Sequence, residues 1–183
     1  MAIAEALLQE LDHEAQTTTR LLERVPDAHL DWRPHAKSYS LGQLALHVAQ
    51  IPGGVAELAM QSPAAPPAFV QERAQRSADL VPALQESIRQ AKTLLANASD
   101  ATMMETWRLV AGGRELMAMP RAAFLRAIML NHWYHHRGQL VVYLRQLNVA
   151  IPSVYGPSAD ENPFAEMLAA GDQRRAAPSS SIS

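Results

Sequence analysis

Four long stretches of this chain repeat apolar residues every three or four positions, the spacing that gathers side chains on one face of an α-helix. They span about residues 2–24, 40–60, 77–98 and 120–148 of the 183 residues. The run Pro52-Gly53-Gly54 lies inside the second stretch and predicts a kink or interruption there. Amphipathic helices of this length bury their apolar faces against one another. The sequence therefore predicts an all-α fold, a four-helix bundle.

Residues 106–117 break the helical pattern before the fourth helix. Two short apolar runs flank Gly112-Gly113, which predicts either a small β-hairpin or an irregular excursion. The C-terminus is rich in alanine, serine and arginine and predicts a flexible extension. We expect one domain over residues 1–162 and an extension over 163–183.

Charge and composition exclude several classes of function. The formal net charge is −2, which gives no electrostatic basis for binding nucleic acid or anionic lipid. The chain has no cysteine, so it has no disulfide framework, thiolate metal site or cysteine nucleophile. Its N-terminus lacks a basic segment, and no apolar run approaches the roughly 20 residues that span a bilayer. We expect a cytoplasmic protein that binds neither nucleic acid nor membranes.

Three of the seven histidines lie within five positions of the fourth predicted helix, at His132, His135 and His136. His132 and His136 are four residues apart, so a helix stacks both rings on one face and lets both reach one point. Packing alone does not readily explain three histidines in an apolar helix. A divalent metal does, because neutral imidazole is a common metal ligand.

A third ligand is needed from a neighbouring helix, and His47 is the candidate. It lies in the middle of the second predicted helix among apolar residues. Taken alone, a hydrogen-bonded core histidine is the commoner explanation. A site formed by His47, His132 and His136 would leave one or more coordination positions open, as in catalytic metal sites.

Polar neighbours of these histidines are candidates for supporting roles. His135 lies three residues after His132, a spacing that can also chelate a metal, so it is an alternative ligand to His136. Because the four-residue spacing is the better geometry, we assign His135 a role beside the metal or facing the substrate. Gln139 follows His136 by one turn, and Gln43 precedes His47 by one turn. Either amide is a candidate to hydrogen-bond a ring N–H or a metal-bound water, with satisfaction by the backbone as the alternative. Gly138 is predicted to let a neighbouring helix approach closely.

These residues resemble the DinB-like family (DinB/YfiT), small bacterial proteins regarded as metalloenzymes and unrelated to the similarly named DNA polymerase. The resemblance rests on His47, on His132-Trp-Tyr-His-His-Arg-Gly-Gln-Leu140, and on Val149-Ala-Ile-Pro-Ser-Val-Tyr-Gly-Pro-Ser158. It implies a four-helix bundle of up-down-down-up connectivity, often a homodimer. It also implies a divalent metal, commonly zinc or nickel, held at the positions of His47, His132 and His136.

The resemblance also suggests a reaction. Some relatives transfer low-molecular-weight thiols such as mycothiol, bacillithiol or glutathione, and others are suspected hydrolases. We therefore expect a metal-dependent thiol S-transferase acting on a small electrophile, with His135 and Tyr155 as candidate catalytic residues. Gln43 and Gln139 are candidates for binding the cofactor. The alternatives are a metal-dependent hydrolase, a non-catalytic metal-binding stress-response protein, and a structural bundle with hydrogen-bonded core histidines.

Overall fold

The structure is a computed structural model that describes residues 1–68, 70–165 and 167–168. This part of the chain is mostly helical, with six α-helices and one two-stranded sheet. In chain order the elements are α1 (Ile3–Leu22), α2 (Leu41–Met60), α3 (Leu80–Leu95), α4 (Asp100–Met104), β1 (Thr106–Ala111), β2 (Arg114–Pro120), α5 (Arg121–Phe124), a π-helical segment (Leu125–Asn131) and α6 (His132–Gln146). Among the described residues, no helix is both long and apolar enough to cross a membrane.

The four predicted helical stretches are present, with three differences. The third begins with a 3₁₀ turn at Ser77–Asp79, so α3 is shorter than its apolar pattern. The short helix α4 was not predicted; the Ser99 hydroxyl caps it by accepting from the backbone N–H of Thr102. The fourth stretch divides into α5, the π-helical segment and α6. Segments of π-helix often occur beside functional sites, and this one ends immediately before His132.

Helix α2 continues through Pro52 without interruption because two other helices satisfy its freed backbone groups. Proline has no N–H to donate to the carbonyl of Val48 one turn earlier. That carbonyl instead accepts from the indole N–H of Trp133 in α6, at 2.8 Å. The N–H of Gly53 donates to the Ser87 hydroxyl of α3, also at 2.8 Å. A Cβ atom at Gly53 would lie 2.8 Å from the Ser87 carbonyl oxygen, so the glycine permits this close approach.

The predicted hairpin is also present. β1 and β2 pair antiparallel around Gly112 and Gly113, whose φ angles of 55° and 75° suit a two-residue turn of type I′. Ala64 joins the edge of β1 through two backbone hydrogen bonds of 2.8 Å, one from its N–H to Arg108 and one from the Val110 N–H to its carbonyl. The hairpin therefore fixes the start of the long connection between α2 and α3.

Helix α2 contacts α3, α6 and the π-helical segment, and it carries a large share of the apolar core. On either side of His47, Leu44, Ala45, Val48 and Ala49 are almost completely shielded from solvent. The buried residues of this helix are Leu41, Gly42, Leu44, Ala45, Val48, Ala49, Ile51, Pro52, Gly53, Ala56 and Ala59. A rigid, packed helix thus holds the backbone of His47 opposite α6.

Candidate metal centre

Three histidines meet where α2 faces the start of α6. His47, His132 and His136 each offer one ring nitrogen, and these three atoms lie within 4.8 Å of one another. The ring centroids of His132 and His136 are 4.4 Å apart, as their spacing of one turn predicts. The His47 ring lies 5.4 Å from that of His132 and 4.6 Å from that of His136. One ion can reach all three nitrogens.

Two glutamines orient two of these rings. Nδ1 of His47 lies 2.8 Å from Oε1 of Gln71, whose own Nε2 donates to the carbonyl of Glu72. Nδ1 of His136 lies 2.8 Å from Oε1 of Gln139. Because an amide oxygen only accepts, each Nδ1 carries the proton and donates it. Nε2 of each ring is then a free lone pair, the form that binds metal.

The contact between His132 and His136 shows that the cluster suits a cation. Their Nε2 atoms are 2.7 Å apart, and Nδ1 of His132 is buried without a hydrogen bond of normal geometry. A proton on Nε2 of His132 would leave its buried Nδ1 lone pair unsatisfied. A proton on Nδ1 would instead place two lone pairs against each other. A divalent cation held by the Nε2 atoms would remove this conflict, and imidazole nitrogens suit zinc, nickel, iron and copper.

The pKa values of all three histidines favour the neutral form. Burial lowers the pKa of His47, and the nearby His132 lowers it further. Burial also lowers the pKa of His132, while the backbone carbonyl of Ile128 acts in the opposite direction. For His136, burial lowers the pKa to about 4. At neutral pH the rings are therefore uncharged and ready to bind an ion without first losing a proton.

We expect the metal-free protein to lose stability as the pH falls from about 6.5, the ordinary histidine pKa, toward 4. In that range the unfolded chain binds protons at these histidines and the folded chain does not, so acid favours unfolding. Urea unfolding of metal-free protein at several pH values measures this slope. His136→Asn is expected to flatten it, whereas His13→Asn, a change at an exposed residue of α1, leaves it intact. An equal slope in wild type and His136→Asn would refute the explanation.

The segment between α2 and α3 brings Gln71 to the cluster. The backbone carbonyl of Gln71 accepts from Nε2 of Gln43 at 3.0 Å, and the N–H of Ala74 donates to the carbonyl of Gly42. Oε1 of Gln43 accepts from the backbone N–H of Ser40, which completes a capping box at the start of α2. Gln43 therefore holds the backbone of Gln71 rather than a histidine ring. Sequence reasoning missed Gln71, because it lies 24 positions from His47 in a segment without periodicity.

Replacing Gln71 with alanine is expected to weaken metal binding by roughly 10- to 100-fold, because the His47 ring loses the partner that fixes its orientation and tautomer. Gln75→Ala is the matched control, since Gln75 lies exposed in the same segment and its side chain hydrogen-bonds to Arg73. Competition with a chromophoric chelator gives the two dissociation constants. Equal affinities in the two variants would show that Gln71 does not support the site.

A cavity of about 500 Å³ opens beside the cluster, with His47 and His132 in its wall. Its lining is mainly apolar, and it lies between one face of α2 and the segment that carries Gln71. The edge of the Tyr39 ring approaches the His47 ring, with centroids 5.9 Å apart. The remaining described lining residues are Gln50, Ile51, Gly54, Val55, Glu57, Leu58, Gln61, Ala65, Pro67, Ala68, Val70, Gln71 and Ile128. A small molecule in this cavity would contact the same rings that would hold the ion.

Other residues singled out in the sequence lie around the cluster or away from it. His135 is exposed; its ring lies 5.0 Å from that of His136, and its Nε2 contacts the amide nitrogen of Gln139 at 3.1 Å. Tyr155 does not line the cavity, and its hydroxyl donates to Glu14 at 3.1 Å. The prediction for Gly138 was wrong, because none of the described neighbouring elements comes within 4 Å of the place that its Cβ would take. The catalytic roles of His135 and Tyr155 stay predictions.

A sequence model described as the DinB family matches residues 1–167. The chain belongs to the DinB family. It is 30% identical over 165 residues to the uncharacterized protein YrdA of Bacillus subtilis (strain 168), an alignment that covers 85% of this chain and 93% of YrdA.

Two solved DinB-like structures have the same fold. One, from Bacillus cereus ATCC 10987, has a TM-score of 0.65 at 22% identity and covers 82% of this chain and 97% of its own. The other, YjoA from Bacillus subtilis, has a TM-score of 0.63 at 19% identity and covers 81% of this chain and 96% of its own. These likenesses establish a DinB-like fold, to which the hairpin is a small addition.

Proposed function

We propose that this DinB-family protein binds one divalent metal ion, zinc or nickel, through His47, His132 and His136, and uses it to transfer a low-molecular-weight thiol to a small electrophile. The observation that carries the proposal is the convergence of three neutral imidazole nitrogens beside a cavity of about 500 Å³. Three protein ligands are typical of catalytic metal sites, which keep a position for substrate or water.

The metal ligands, the glutamines beside them and the cavity lining have separate roles in this reaction. When bound, a divalent metal would supply a Lewis acid that lowers the pKa of a thiol or of water. Gln71 and Gln139 hold the histidine rings in the tautomer that leaves Nε2 free. The mainly apolar lining of the cavity gives the electrophile a surface to pack against beside the histidines. The chain has no cysteine, so the sulfur must come from a cosubstrate.

The thiol reaction itself comes from the family resemblance. Its rival is hydrolysis, in which water takes the place of the thiol at the same site. A non-catalytic metal site would be expected to have its remaining positions blocked by protein. The cavity that reaches His47 and His132 supports an accessible site instead.

The direct test is an activity assay with metal-loaded protein, an aryl halide or epoxide as electrophile, and each low-molecular-weight thiol in turn. We expect product formation that requires both metal and thiol. Product that forms without thiol, by addition of water, would favour the hydrolase. No reaction above that of metal-free protein with any pair would contradict the catalytic proposal.

Gly54→Leu is expected to abolish turnover while leaving metal binding unchanged. Gly54 lines the cavity, and a Cβ atom there meets none of the described residues within 4 Å, so a leucine side chain would project into the cavity and obstruct a ligand without displacing the helix. The substitution should also stabilise α2, because glycine costs about 1 kcal/mol relative to better helix formers. Gly138→Leu, at a similarly open position outside this cavity, is the matched control. Normal turnover in Gly54→Leu would place the reaction elsewhere.

The proposal extends to architecture and assembly. We propose that α1, α2, α3 and the α5–α6 stretch form a bundle of up-down-down-up connectivity, and that two copies form a homodimer in the cytoplasm. The DinB-like structural neighbours support the helical arrangement. Light scattering coupled to size-exclusion chromatography tests the dimer, for which a mass near 40 kDa is expected from a 20.1 kDa chain.

A further inference from the structure

The cavity beside the histidines extends along α2 well beyond them. Its lining on that helix recurs at His47, Gln50, Gly54, Glu57 and Gln61, which places these residues along one face. His47 and Glu57 are ten positions apart on the helix, a rise of about 15 Å. A ligand with its reactive end at the histidines can therefore lie along α2 and bring its far end to Glu57.

The two ends of this cavity differ in chemistry. The middle is apolar, with Ile51, Val55 and Ile128 among its lining residues. The far end carries the carboxylate of Glu57 and the amide of Gln61. Apart from Glu57, none of the described lining residues has a carboxylate, and none is lysine or arginine. The far end can accept hydrogen bonds and attract positive charge, but no lysine or arginine there can pair with an anion.

The position of the Glu57 carboxylate is supported by α3. Its Oε2 accepts from Nε2 of Gln90 at 3.1 Å. This bond uses one of the two carboxylate oxygens, so the other can accept from a ligand. Glu57 is exposed at the cavity mouth, which lets a bound cation remain partly hydrated and keeps the desolvation cost small.

We propose that Glu57 selects the ligand of this site by charge: the cavity takes an elongated molecule whose far end is an ammonium or hydroxyl group, and disfavours one whose far end is a carboxylate. The inference rests on the proposed function, because it assigns the reactive end to the histidines. It adds a substrate class, in which thiols with several carboxylates, such as glutathione, bind poorly.

The test uses three probes that differ only at one end: undecane-1-thiols that carry a terminal ammonium, hydroxyl or carboxylate group. Each is titrated into cobalt-loaded protein, and the cobalt absorption spectrum reports binding of the thiol. We expect the ammonium probe to bind tightest, the hydroxyl probe next and the carboxylate probe weakest. The affinity should fall by about three-fold from each probe to the next, as for an exposed charge pair. Salt should reduce the differences.

Glu57→Gln keeps the shape of the side chain and removes its charge, so it should bring the ammonium and carboxylate probes to within two-fold of each other. Glu86→Gln is the matched control: Glu86 is an exposed glutamate of α3 that pairs with Arg89 and does not line the cavity. It should leave the three-probe order unchanged. Wild-type protein that binds the three probes equally, or Glu57→Gln that keeps the wild-type difference in affinity between the ammonium and carboxylate probes, would overturn the inference.

The failure of this inference is distinguishable from failure of the proposed function. Cobalt that binds with a normal spectrum and responds equally to all probes contradicts the role of Glu57 alone. Protein that takes up no cobalt contradicts the metal site itself. In that case calorimetry of metal-free protein with undecylamine and undecanoate still tests Glu57, because the charge preference at the far end does not need the ion; equal binding of the two would overturn it.

Discussion

Replacing Glu14 with alanine is expected to destabilise the folded protein by about 3–5 kcal/mol, because it would leave the Arg137 guanidinium buried without a counter-charge. Oε2 of Glu14 lies 2.6 Å from Nη2 of Arg137, and their side chains are 7% and 1% exposed. Arg137 also donates to the Thr18 hydroxyl at 3.1 Å, and its guanidinium lies over the rings of Tyr134 and Tyr155, 5.2 and 4.9 Å from their centroids. This cluster joins α1 to the helix that carries His132 and His136.

Asp12→Ala is the matched control for that prediction. Asp12 is also on α1 and pairs with Lys92 at 2.7 Å, but both side chains are about half exposed, so its loss should cost under about 1 kcal/mol. The double variant Glu14→Leu/Arg137→Met should be more stable than Glu14→Ala, because it removes both charges from the interior. Urea unfolding measures all three. Equal losses in Glu14→Ala and Asp12→Ala would contradict the account of the buried pair.

Replacing His132 with alanine is expected to remove stoichiometric metal from the protein. Wild-type chain should retain about one equivalent of zinc or nickel after loading and dialysis, and His47→Ala and His136→Ala should behave like His132→Ala. The physical reason is that each variant keeps only two of the three convergent histidine ligands and therefore binds the ion much more weakly. Elemental analysis gives the content. Saturating metal should also stabilise wild type, by about 2.7 kcal/mol at 100 times its dissociation constant, and not the variants.

His13→Ala controls for the general effect of removing a histidine, since His13 lies exposed on α1 outside the cluster. It should retain metal and the thermal shift. Equal metal content in His132→Ala and wild type would remove His132 from the site. Loss of metal from His13→Ala would show that the assay reports nonspecific surface binding.

Apolar periodicity predicted the long helices because their buried faces repeat every three or four residues over several turns. The same reasoning predicted the meeting of His132 and His136, which depends on a single helix. His47 was predicted as the third metal ligand because the site needed one more ligand and because the family resemblance implied it. The structure brings its ring to the other two.

Features that depend on contacts between residues far apart along the chain could not be predicted from the sequence. The sequence predicted a break at Pro52 because nothing near it along the chain shows how the freed backbone groups are satisfied. The groups that satisfy them, Trp133 and Ser87, lie 81 and 35 positions away from Pro52. Gln71 lies in a segment with no repeating pattern, and its position depends on backbone hydrogen bonds to β1 and α2. The start of the C-terminal extension remains a prediction, and residues 169–183 lie outside those that the structure describes.

The most direct test of the central claim is anomalous diffraction from crystals grown with zinc or nickel, collected on both sides of the absorption edge of the metal. The account predicts one strong peak per chain, at about 2.0–2.1 Å from a ring nitrogen of each of His47, His132 and His136, beside the cavity. A well-ordered site with no peak at saturating metal, or a peak held by other side chains, would contradict it.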